Sequence, residues 1–155
     1  MADLYSRSAP DAPQPSLRVS SSEGIDGAER TVVLAHRTDS SPAVLQAGID
    51  AAQHLGAALR VVHYAHDMTA GPTAVPEMIQ RIKELSRPIL EAGIEFEIQR
   101  AGDGVADQVL ELAEDHAAAL IVLAVRRRSP LMKLFLGSSA QRILLEASCP
   151  VLTLR

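Results

Sequence analysis

The stretch that most constrains this chain is Leu120-Ile121-Val122-Leu123-Ala124-Val125, followed at once by Arg126-Arg127-Arg128. Six apolar residues without polar alternation have the length of a strand. Such a strand is buried on both faces, as happens in a parallel sheet covered by helices. Three arginines at its carboxyl end cannot continue it. Beyond them lie an apolar loop, Leu131-Met132-Lys133-Leu134-Phe135-Leu136, and then Gly137-Ser138-Ser139, which opens a helix running to Ala147. The first N–H groups of a helix have no partner inside it. A strand end, a cationic loop and a helix N-terminus together form a corner suited to an anion.

The rest of the chain repeats the pattern. Thr31 to Ala35 is a first β-rich run, ending at His36. Ser41-Pro42 signals a helix start, with a hydroxyl residue at the cap and proline at the first position. Leu45, Ile49, Ala52 and Leu55 recur at helical spacing, and Gly56 stops them. Ala58 to Tyr64 is the second strand. Val75, Met78, Ile79, Ile82, Leu85 and Ile89 mark a second amphipathic helix, in which Pro88 predicts a kink. Ile94, Phe96 and Ile98 alternate with Glu95, Glu97 and Gln99, which predicts a third strand with one wetted face at the edge of the sheet. Val105, Val109, Leu112 and Ala113 form a third helix before the apolar run, which is the fourth strand. Val151-Leu152-Thr153-Leu154 is the fifth.

Alternating strands and helices define one doubly wound α/β domain with a five-stranded parallel sheet. The first and fourth strands are the most apolar and the third reads as an edge, which predicts the order 3-2-1-4-5. Ligands of such sheets bind at the carboxyl ends of the strands that flank the topological switch. Here His36 and Arg126 occupy those ends. The domain is expected to span residues 30–155. Residues 1–29, rich in Ser, Pro, Asp, Ala and Gly, have no period and read as a disordered tail.

Composition excludes several functions. Aromatic residues are 3% and the formal net charge is -4, so a nucleic-acid partner is not expected. One cysteine rules out a disulfide within the chain and fits a reducing compartment. No apolar run suits a membrane span, and no secretory core is evident, so the expected location is the cytoplasm. No Gly-x-Ser-x-Gly elbow, Walker lysine or dinucleotide fingerprint is present, and no enzymatic activity is expected. His63 and His66 lack a Cys or carboxylate at ligand spacing, so a metal is not expected.

Gly137-Ser138-Ser139-Ala140-Gln141-Arg142-Ile143-Leu144 running into Cys149-Pro150-Val151-Leu152 resembles the closing helix and strand of the universal stress protein family. Leu55-Gly56-Ala57 into Val61-Val62-His63 is similar to that family's first helix–strand junction, and Ala119-Leu120-Ile121-Val122 to its fourth strand. The resemblance covers residues 30–155 and implies a Rossmann-like domain. Nucleotide-binding members carry Gly-x2-Gly-x9-Gly-Ser and an aspartate at the end of the first strand. In this chain Ala124 and Arg127 stand at the first two glycines, Gly137-Ser138 at the last pair, and His36 at the aspartate; a competing alignment places Asp39-Ser40-Ser41-Pro42 there but requires the following helix to be shortened, so His36 is preferred.

The candidate ligand site, for a nucleotide or another anion, therefore comprises Ala35, His36, Val62, Ala124, Arg126, Arg127, Gly137, Ser138 and Ser139. The substitutions predict weak or absent nucleotide binding, in a degenerate site of a non-enzymatic stress-response module. ATP is the candidate cofactor in a second reading, in which a slow ATPase is conceivable. There the arginines replace the glycines, since a guanidinium makes a bidentate phosphate partner. An uncharged strand at the sheet edge predicts a homodimer through Val151, Leu152, Thr153 and Leu154, an arrangement that the resemblance also implies. The apolar loop 131–136, next to that strand in the inferred topology, is expected either to extend the interface or to cover the crevice.

Overall fold

The computed structural model describes residues 17–65, 74–125 and 137–155. Its strands are β1 (Arg18–Ser21), β2 (Thr31–Arg37), β3 (Ala58–Tyr64), β4 (Phe96–Arg100), β5 (Leu120–Ala124) and β6 (Val151–Leu154). Its helices are α1 (Pro42–Leu55), α2 (Ala74–Glu91), α3 (Val105–Asp115) and α4 (Ser138–Glu146), with a 3-10 turn at Ile25–Gly27. The sheet order is β1-β4-β3-β2-β5-β6. The five parallel strands β2 to β6 thus keep the expected order 3-2-1-4-5, in the register Val33↔Arg60, Val33↔Ile121 and Val122↔Leu152.

The sheet has two cores because successive side chains leave a strand on opposite faces. Val32 and Leu34 of β2, Leu59 and Val61 of β3 and Phe96 and Ile98 of β4 pack with Ile49 and Ala52 of α1 and Ile82 and Ile89 of α2. Val33 and Ala35, Val62, and Ile121 and Leu123 of β5 pack with Val105, Val109 and Leu112 of α3 and Ile143 of α4. Gly56 ends α1 in the left-handed conformation (φ 60°), where a side chain would be strained, and its N–H bonds the carbonyls of Ala52 and Gln53. Ser41 is at the N-cap of α1 but makes no side-chain capping bond; Ser40 Oγ instead accepts the Arg37 N–H at 3.1 Å. Pro88 lies within α2, which continues to Glu91.

Two expectations need correction. The sheet has a sixth strand: β1 pairs antiparallel with β4, so the third predicted strand is not the edge. For residues 17–29 the reading as a disordered tail falls with it, since Ile25 is 1% exposed and the segment is bonded to the sheet. The cause is a buried charge. Glu97, read as wetted, is 1% exposed, and so is Arg60 of β3. Arg60 gives one N–H to Glu97 Oε2 at 2.8 Å, one to the Ile25 carbonyl at 3.1 Å and its Nε–H to Thr31 Oγ1 at 3.1 Å. Arg18 of β1 reaches the same carboxylate oxygen at 2.5 Å. A buried ion pair holds only if its remaining hydrogen-bonding positions are filled. β1 and the 3-10 turn supply those groups.

A crevice at the strand ends and its histidine pair

The switch in strand order lies between β2 and β5, so the crevice opens at their carboxyl ends. His36 is the sixth residue of β2 and His63 the sixth of β3, and they are in register. Both side chains leave the sheet toward α2. Both are buried, at 5% and 1% exposure, and their Nδ1 atoms are 3.0 Å apart. Burial holds the His36 ring down to about 4; burial, then His36, then Arg81 bring His63 to about 4. Charging either ring would bury a cation, and for His63 would do so near the Arg81 guanidinium. Both are therefore neutral at pH 7.

Thr38, just past β2, completes the group. Its hydroxyl lies 3.1 Å from the Tyr64 carbonyl and 3.4 Å from His63 Nε2. Arg37 and Asp39 form an ion pair at 2.5 Å beside it. Burial pushes the Tyr64 hydroxyl up, so it stays protonated. His36, Thr38 and His63 form one wall of a cavity of about 310 Å³, whose other wall is Arg81, Glu84, Leu85 and Pro88 of α2. A larger groove, about 750 Å³, lies at the opposite end of the sheet around Arg30, Gly56, Gly93 and Glu95, far from these groups.

The expected site residues divide among three places. Ala35 and Val62 are in register with each other but buried on the α3 side, the face opposite His36. Ala124 ends β5 in register with Leu154 and packs toward the α1 side. Gly137 is the N-cap of α4, with Ser138 and Ser139 in its first turn and no side-chain capping bond. Arg126, Arg127 and the loop 131–136 lie outside the described residues. Among the described residues no group of three metal-ligating side chains is present, and no helix is long and apolar enough to cross a membrane.

Sequence reasoning missed the pairing of His36 with His63, and with it Thr38, Arg81 and Glu84. A signal existed. The two histidines hold the same place in adjacent parallel strands, and equal offsets in such strands put side chains together on one face. The bond itself depends on register, which hydrophobic runs leave open by a residue either way.

A doubly wound parallel sheet with a crevice at its switch point defines a Rossmann-like α/β binding domain. The sequence profile of the Universal stress protein family matches residues 29–155, and the chain belongs to that family. A universal stress protein of Mycolicibacterium smegmatis is 32% identical over 117 residues, covering 73% of this chain and 87% of the relative. The solved universal stress protein of Archaeoglobus fulgidus is 27% identical with a TM-score of 0.65, covering 81% of this chain and 98% of its own. A second structure of a universal stress protein from that organism, in complex with dAMP, is 23% identical with a TM-score of 0.64, over 81% and 98%. β1 and the 3-10 turn precede the matched region.

Proposed function

We propose that this protein is a non-enzymatic stress-response module that works as a homodimer and binds nucleotide weakly or not at all. The stress-response role rests on family membership. The observation that carries the nucleotide reading is His36. Where nucleotide-binding members place a carboxylate, this chain has a neutral imidazole whose Nδ1 is tied up by His63 at 3.0 Å. A carboxylate accepts on two oxygens with full charge; a bound imidazole accepts on one nitrogen with none. Ala124 and Arg127, in place of glycines, reduce the close backbone approach that phosphates need. The hydroxyl beside the histidines, on Thr38, lies against the Tyr64 carbonyl, which argues against a histidine-activated nucleophile. Calorimetric titration with ATP tests the reading: no saturating heat at micromolar protein is expected, and a low-micromolar dissociation constant overturns it.

One observation favours the second reading, ATP binding through the arginines. α4 opens at Gly137 without a side-chain cap, leaving backbone donors for a phosphate, and a related protein was solved with dAMP. If ATP binds, Arg127→Ala should weaken it about tenfold or more, the size of a charge-assisted contact.

The dimer reading rests on β6. Within the described sheet it pairs only with β5, and its outer edge bears no charge. Leu152 of β6 is 41% exposed. An apolar edge is stable when a second copy pairs with it about a two-fold axis. Sedimentation at micromolar concentration should give the dimer mass. Thr153→Pro should give a folded monomer: the Pro150 and Leu154 carbonyls face β5, so by alternation the Thr153 N–H faces the outer edge, and proline removes that donor. A folded variant that stays dimeric places the interface elsewhere.

A further inference from the structure

The two imidazoles fix each other's protons. Their centroids are 5.1 Å apart, their planes incline by 25°, and their Nδ1 atoms are 3.0 Å apart. That separation is close to two ring radii plus the contact itself, so both Nδ1 atoms lie near the line between the centroids. The rings therefore meet edge to edge as a hydrogen bond, and not face to face. With both rings neutral, one Nδ1 carries a proton and the other is bare.

Thr38 decides which. A hydroxyl has one proton, and the Tyr64 carbonyl, the nearer neighbour, can only accept. Thr38 therefore donates to Tyr64 and accepts from His63 Nε2–H. His63 Nδ1 is then bare and takes the proton of His36 Nδ1. His36 is left with a bare Nε2, on the side of its ring away from His63. That nitrogen has no partner among the described residues. Every buried side-chain nitrogen and oxygen among them is paired, so it must reach solvent through the accessible 5% of the residue. The chain of bonds begins at a backbone carbonyl and ends in one unfilled acceptor.

We propose that the cavity between α2 and the ends of β2 and β3 binds a small neutral hydroxylated ligand, one of whose hydroxyls donates to His36 Nε2. Three features set the class. The only polar ring atom left open on the pair is an acceptor, which an anion without a proton cannot satisfy. The opposite charges of Arg81 and Glu84 give the wall no net sign, while both can hydrogen-bond further hydroxyls. Leu85 and Pro88 supply an apolar side, and about 310 Å³ is at the small end of ligand cavities. The site uses neither the arginine loop nor α4, so it stands whether or not ATP binds.

Long-range 1H–15N correlation spectra of the full chain at neutral pH test the proposal in two stages. The first should show His36 protonated at Nδ1 and His63 at Nε2; the reverse tautomers, or rapid exchange between them, overturn it. The second adds neutral polyols (myo-inositol, then D-ribose and glycerol) into the millimolar range, with sulfate, an anion that carries no proton at this pH, as the contrast. At least one polyol should move the His36 Nε2 resonance toward the hydrogen-bonded position and saturate, while sulfate should not. No saturating shift with any of the three, or a shift with sulfate instead, overturns the proposal. Leu85→Trp, which fills the cavity from α2, should abolish the polyol shift and leave the tautomers unchanged. A polyol shift that survives in this variant places the ligand elsewhere and also overturns it.

Discussion

Arg60 and His63 sit three residues apart in β3, and their side chains leave the sheet on opposite faces. Each is 1% exposed and each meets a partner from a neighbouring strand, Glu97 of β4 or His36 of β2. There the likeness ends. Arg60 and Glu97 carry full charges and close on themselves. Glu97 Oε2 receives Arg18 and Arg60, and Oε1 receives Gln99 at 2.5 Å. Gln108 of α3 then ties Gln99 to the Gly102 N–H and the Arg100 carbonyl. The histidine pair stays neutral and stops one bond short. A buried polar cluster with every group matched is part of the structure. One that keeps a free acceptor at the carboxyl ends of the strands is where a ligand can enter.

Acid should separate the two most sharply. The histidines bind protons in the unfolded chain near pH 6.5, their ordinary value, and in the folded chain only near about 4. Between those values the unfolded state holds more protons. Their contribution to stability is therefore complete above pH 6.5 and lost as the pH falls toward 4. The loss should be roughly 3 kcal/mol for each histidine that must charge. Urea unfolding from pH 7 to 4 measures it. His36→Leu/His63→Leu should flatten that part of the profile, and an unchanged slope in the double variant would assign the acid sensitivity to other groups.

The charged cluster should respond to truncation. Glu97→Ala leaves Arg60 buried and unpaired and should cost about 3–5 kcal/mol in urea unfolding at pH 7. Replacing both partners, Arg60→Met with Glu97→Leu, should recover most of that loss, because the penalty comes from the orphaned charge and not from the missing bond. A single variant as stable as the parent would show that water already reaches the pair.

Ile25→Ala tests whether the N-terminal segment is the lid of that cluster. Ile25 is buried, and its carbonyl accepts from Arg60. The substitution should cost about 2–3 kcal/mol, the lower part of the range for deleting an isoleucine side chain from a core. Removal of residues 1–27 should cost more, since it also takes away Arg18 and exposes Glu97. A melting midpoint unchanged by that deletion would restore the reading of the whole segment as a tail.

The same contrast explains what could be read from the sequence. The parallel strands and their order were legible because Thr31–Ala35, Ala58–Val62 (broken only by Arg60) and Leu120–Val125 are mainly apolar, β-rich runs that a covered sheet can bury. β1 was not legible. Arg18-Val19-Ser20-Ser21 has one apolar residue, and what holds it is Glu97, 79 positions from Arg18. Glu97 was itself misleading, because alternation of charged and apolar residues marks a wetted face unless a distant arginine reclaims it. At the crevice, the position of His36 at a strand end was legible. Its neutrality and its bond to His63 arise from register and burial, which a single chain of letters does not show.

Thr38 offers the smallest and finest test. Its backbone N–H also bonds the Tyr64 carbonyl, at 2.9 Å, so removing the hydroxyl leaves the turn anchored. Thr38→Val keeps the shape and deletes two side-chain contacts, to Tyr64 and to His63. One is long and Thr38 is only half-buried, so the net cost should be about 1 kcal/mol, the ordinary worth of a hydrogen bond. The tautomers should change more than the stability. Without an acceptor beside His63 Nε2, either ring can donate across the pair, and the 15N spectrum should show both arrangements in exchange. Thr38→Ser restores the hydroxyl and should restore the single arrangement. If the valine variant keeps His63 protonated at Nε2, the proton order is set by another neighbour. The bare nitrogen of His36 would then be independent of the carbonyl at the start of the chain.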